Sequence, residues 1–114
     1  MSKIRYFSAS VEASSQRCRD DVWAHVAEMV ASAFPEARPL SVEAPWRYVY
    51  KMPEGSRGLG LWQGTVLLRD DGPTSHVAWS LVLYPEPAEL VVAESELILA
   101  EMDRTLTELM HRLR

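Results

Sequence analysis

The chain has 114 residues, of which 47% are hydrophobic and 25% charged. These are ordinary values for one globular domain and exclude a disordered segment. The formal net charge of −4 with an acidic pI argues against nucleic acid as a partner, because no basic patch is visible. No apolar run approaches the roughly 20 residues of a membrane span, so no membrane partner is expected. Cys18 is the single cysteine, so no internal disulfide forms and no Cys/His set has zinc spacing. No metal or cofactor is implied, and residues 1–11 lack the apolar core of a signal peptide. The expectation is a cytoplasmic protein with one domain over 1–114.

Residues 3–12 read as a strand, with Phe7, Ala9 and Val11 alternating against Ser8, Ser10 and Glu12. Residues 18–34 read as one helix: Val22, Val26, Met29, Val30 and Ala33 fall at helical spacing, Asp20 and Asp21 suit its start, and Pro35 stops it. A Pro-rich loop follows, holding a short strand at Leu40–Val42. Residues 46–52 are a strand by aromatic and β-branched content. Its parity puts Trp46, Tyr48, Tyr50 and Met52 on one face. Residues 53–58 are a turn, and 59–69 are the next strand, in which Gly60 and Gly64 suggest a bulge or bend. DDGP at 70–73 signals a hairpin into the strand 74–84, where Val77, Trp79, Leu81 and Leu83 share a face. The last segment is an amphipathic helix carrying Ile98, Leu99, Met102, Leu106, Leu109, Met110 and Leu113 in one stripe. It starts either at Pro87 or with Ser95 as cap. It is the only element long and apolar enough to cover the sheet, which gives an α+β fold: an antiparallel sheet packed on a long C-terminal helix.

The segment GTVLLRDDGPTSHVAWSLVLYPEP at 64–87 resembles the paired strands of the START-like (SRPBCC) superfamily, in particular its polyketide cyclase/dehydrase-like branch. The residues carrying the likeness are a Gly-led strand, an acidic Gly turn, and Thr74 and Trp79 in a strand that ends in Pro. The opening SASVEASSQRCRDDVW at 8–23, with Trp23 on its helix, is similar to that superfamily's first strand, connector and helix. The chain is shorter than the usual member, mainly between the first helix and Trp46. The resemblance implies a shortened helix-grip fold, a curved antiparallel sheet around the C-terminal helix, with a hydrophobic small molecule held between sheet and helix.

The residues weighed for function are few. Tyr48 and Tyr50 are the candidate catalytic groups, since each could donate to a ligand carbonyl or act as a weak acid. Trp46, Trp62, Trp79, Leu81, Met102 and Leu106 are the candidate ligand walls. His25, His76 and His111 have no evident acidic partner in the sequence, which argues against a catalytic triad. GSRGLG at 55–60 lacks the Lys-Ser/Thr ending of a phosphate loop and reads as a turn, with Arg57 at its tip placed to meet an anionic ligand. Glu94, Glu96, Glu101 and Asp103 read as a solvated face. Three functions remain open. The first is a cyclase, dehydratase or isomerase acting on a polyketide-like or other natural-product intermediate. The second is a non-catalytic binder of a hydrophobic metabolite or lipid. The third is an interaction subunit, with a homodimer as the expected assembly.

Overall fold

The computed structural model describes residues 4–114. Within them lie, in chain order, β1 (Phe7–Ser15), α1 (Arg19–Trp23), α2 (Val26–Ala33), β2 (Arg38–Glu43), β3 (Arg47–Lys51), β4 (Trp62–Asp71), β5 (Thr74–Leu83) and α3 (Ala88–Arg112). The described strands form one antiparallel sheet in the order β1-β5-β4-β3-β2. The long crossing from β1 to β2 carries α1 and α2, and α3 returns over the sheet and packs against β1 and α2.

The period-2 patterns predict the faces of the central strands. In β5, Ser75, Val77, Trp79, Leu81 and Leu83 are buried, and the residues between them are not. In β4, Trp62, Gly64, Val66 and Leu68 are buried on the same side. From above, α3 adds Val91, Ile98, Met102, Leu106 and Leu109. Two polar residues also sink into this helix face and are satisfied locally: Ser95 Oγ donates to the Val92 carbonyl at 2.9 Å and Thr105 Oγ1 to the Glu101 carbonyl at 2.8 Å. Ser95 is therefore inside the helix, which starts after Pro87. Pro87 at the cap costs no backbone bond, because the first N–H groups of a helix lack intrahelical partners anyway.

Three local features differ from the sequence pattern. The helix read over 18–34 is two helices that break at Ala24–His25, although no Gly or Pro stands there. The reason is tertiary: α1 packs on β4 and β5 while α2 packs on α3, and one straight helix cannot serve both surfaces. β4 begins at Trp62 and keeps register through Gly64, so neither glycine forms a bulge in it, while Gly60 lies in a bend just before the strand. β2 is longer than the expected three residues and lies at the sheet edge, where Pro39 needs no partner for its missing N–H. The hairpin at 70–73 forms as read: Gly72 takes φ 80° and Asp70 Oδ1 accepts from its N–H at 3.0 Å.

Candidate functional site

Antiparallel pairing sets Tyr50 of β3 directly opposite Gly64 of β4. A Cβ at position 64 would lie 2.1 Å from Tyr50 Cζ, so the ring of Tyr50 rests on bare backbone. This is why glycine stands in the strand. From β5, Trp79 Nε1–H donates to Tyr50 Oη at 2.9 Å, and both side chains have 0% exposure. Burial pushes the Tyr50 hydroxyl pKa well above its usual value, only partly opposed by the Trp79 hydrogen bond. Tyr50 is thus a neutral acceptor held in the core.

Phe34, at the end of α2, ties the cluster together. Its ring lies 5.0 Å from that of Trp62, 6.0 Å from Trp79 and 6.4 Å from Tyr50. The sequence reading passed over Phe34; an aromatic residue just before the helix-stopping Pro35 was the available signal. Leu81, Met102 and Leu106 join the same core, with 1% exposure or less. Tyr50, Trp62, Trp79, Leu81, Met102 and Leu106 therefore come together. The chain's own aromatic side chains occupy the space between sheet and helices.

Of the other two singled-out residues, Tyr48 packs on the edge of this core with its ring 6.5 Å from that of Tyr50, and Trp46 stands apart. Tyr48 is half-buried, 6.4 Å edge-to-face from Trp23 of α1, and burial raises its pKa as well. Trp46 precedes β3, is 42% exposed, and borders a surface groove of about 570 Å³ with Leu67, Ala78 and His76. Among the described residues, no three His, Cys, Asp or Glu side chains gather as a metal set.

His76 does find partners that the sequence alone did not reveal. Its Nε2 lies 3.1 Å from Glu12 Oε1 and its Nδ1 3.4 Å from Ser14 Oγ, because β1 pairs with β5 so that Ser14 faces His76. The three groups lie on the outer face of the sheet, where water competes for each bond.

The open space around the core takes the form of surface grooves. One of about 610 Å³ lies between β1, α2 and the last turns of α3, where Ala13, Met29 and Met110 stand among Ser, Thr and charged side chains. Another, of about 320 Å³, lies at the sheet end under the turn 53–58. Its walls include Phe34, Pro35, Met52, Arg57 and Trp62. Here Trp62 is only 3% exposed, and its Nε1–H is buried with no acceptor among the described residues. The Arg57 guanidinium carbon lies 5.4 Å over the Trp62 ring, and its Nη1 is 3.7 Å from Glu94 Oε2 of α3.

No family model matches the chain, and no curated protein does. Solved structures do match. Norcoclaurine synthase from Thalictrum flavum, solved in complex with dopamine and hydroxybenzaldehyde, superposes at a TM-score of 0.60 with 14% identity, over 97% of this chain and 90% of that one. CalU16 from Micromonospora echinospora gives 0.61 at 14%, over 95% and 81%. A Thermus thermophilus protein gives 0.62 at 14%, over 93% and 96%. The chain has the START-like, helix-grip fold. At such identity the likeness carries the fold and not the activity. In this helix-grip chain the gripped region is filled with aromatic side chains, and the groove beside Trp62 opens at its edge.

Proposed function

We propose that this protein binds a small apolar molecule without transforming it, in the groove bordered by Phe34, Met52, Arg57 and Trp62. The observation that carries this reading is the groove itself, about 320 Å³ at the sheet end, where Phe34, Pro35, Met52 and the edge of Trp62 present apolar surface beside the filled core. Clefts of this size walled by apolar and aromatic side chains are the usual seats of small apolar molecules. Binding without chemistry is favoured because the Tyr50 hydroxyl is sealed in the core with 0% exposure, where it accepts from Trp79 and meets no guest in the groove.

The test is a titration of isotope-labelled protein with naphthalene, followed by amide and indole NMR. Shifts should concentrate at Phe34, Met52, Arg57 and Trp62, and Trp62→Ala should abolish them. Shifts elsewhere, or none, would overturn the reading.

A cyclase or dehydratase acting on a polyketide-like intermediate is the second reading, and Tyr48 favours it. Its hydroxyl is half-buried beside Trp23 and kept protonated by its surroundings, so it could donate to a substrate carbonyl. On that reading Tyr48→Phe removes turnover and leaves the fold intact.

A further inference from the structure

One side chain ties the end of α3 to the connector between β1 and α1. Arg17 of that connector donates from Nε to the Leu113 carbonyl at 3.0 Å, across 96 residues of sequence. The last carbonyls of a helix have no intrahelical partner. An arginine that reaches them satisfies one and sets a positive charge at the negative end of the helix dipole. The Leu113 side chain is itself buried in the core cluster, so the tie also keeps an apolar group inside.

Arg17 is held in place on both sides. Its backbone N–H donates to Ser15 Oγ at 3.0 Å, and its carbonyl accepts from Ser75 Oγ at 2.9 Å. Ser15 and Ser75 are buried, and both hydroxyls serve this one connector residue. On the guanidinium, Nη1 lies 3.8 Å from Asp21 Oδ2 of α1. The tie stands beside open space. The last turns of α3 are one wall of the groove of about 610 Å³, Ala13 and Ser14 of β1 a second, and Glu28, Met29 and Ser32 of α2 the third. Met29 and Thr105 line this groove and are buried, so its floor is the edge of the core. An α3 end that lifts from the sheet here takes Leu109 and Leu113 with it and joins the groove to the core.

We propose that Arg17 is a latch, which holds the end of α3 closed over this groove and whose release opens a way into the core for an apolar guest. This goes beyond the binding reading above, since it concerns the other end of the grip. One hydrogen bond of this kind corresponds to about a five- to tenfold change in an opening equilibrium. That keeps the helix end shut most of the time and lets it open without unfolding the sheet.

Hydrogen exchange read by mass spectrometry tests it, on the unaltered chain and two variants. Arg17→Met keeps the stem and removes the donors. Ser75→Ala keeps Arg17 and frees its carbonyl. In Arg17→Met the amides of 105–114 should exchange about five- to tenfold faster, with those of β4 and β5 unchanged. Ser75→Ala should act in the same direction to a lesser extent. It should add nothing in the Arg17→Met background, because it works through Arg17. The neutral fluorescent probe N-phenyl-1-naphthylamine should bind Arg17→Met more tightly by the factor seen in exchange, since apparent affinity follows the open fraction. Unchanged exchange at the α3 end in Arg17→Met would overturn the latch, as would a rise shared equally by β4 and β5, or additive effects of the two substitutions. Faster exchange with unchanged probe binding would overturn the opening into the core. Should Ser75→Ala fail to fold, exchange and probe binding in Arg17→Met decide by themselves.

Discussion

Replacing Gly64 with Ala tests the packing argument at its tightest point. The added Cβ would stand 2.1 Å from Tyr50 Cζ, 2.2 Å from Oη and 2.4 Å from Cε1, where ordinary contact begins at 3.4 Å. The ring tip must retreat by about 1 Å, yet Phe34 lies behind it and the Trp79 N–H holds its oxygen at 2.9 Å. Overpacking of this kind costs about 1–3 kcal/mol, and stretching the Trp79 bond until its donor is orphaned costs roughly 1–3 kcal/mol more. The backbone gain of Ala over Gly in a strand, at most about 1 kcal/mol, offsets only part of this. The expected net loss is about 3 kcal/mol, read as a fall in the urea midpoint at unchanged slope. Tyr50→Leu removes the atoms that collide, so Gly64→Ala in that background should cost under about 1 kcal/mol, a coupling of about 2 kcal/mol. Equal costs in both backgrounds would refute the argument.

Four further outcomes follow from the same geometry. Tyr50→Phe orphans the Trp79 N–H and should cost about 1–3 kcal/mol in urea titration, against nearly nothing if the bond is dispensable. The raised Tyr50 pKa means that above about pH 10 the unfolded chain loses this proton while the folded one keeps it. Stability should therefore fall there with rising pH by about 1.4 kcal/mol per unit from this group, and Tyr50→Phe should remove that part of the slope. Leu106→Ala should cost about 2–5 kcal/mol, since the side chain is 1% exposed, and a loss under 1 kcal/mol would contradict its burial. The homodimer expected from the sequence we also propose, given the edge strand β2 with Leu40 and Val42 exposed; a monomer mass in sedimentation at working concentration rejects it.

The amino-acid sequence by itself determined most of the fold, because hydrophobic periodicity depends only on which side of an element is buried. Alternation in 74–84 and the stripe from Ile98 to Leu113 give β5 and α3 with their inner faces, and DDGP gives the hairpin between β4 and β5. Those elements, with the antiparallel β4–β5 pairing that the hairpin imposes, are the centre of the helix-grip architecture, while the order β1-β5-β4-β3-β2 around them is set by the tertiary structure. Strand parity and the helical stripe also bring Tyr50, Trp62, Trp79, Leu81, Met102 and Leu106 to inner faces, but parity puts Trp46 there too, and it is 42% exposed beside an outer groove.

What the chain alone left open depends on contacts between residues far apart in sequence. The break at Ala24–His25 arises because α1 and α2 answer to different surfaces, and no local residue marks it. Gly64 reads as a bend until the register sets the Tyr50 ring on it. His76 has no partner along the chain and two across the strand pair. The unpartnered Trp62 N–H, and the Arg57 over it held toward Glu94, appear only when the turn 53–58 is placed beside α3. Periodicity says which side of an element is inside, but only the tertiary structure says which donors in that interior are satisfied and which await a partner.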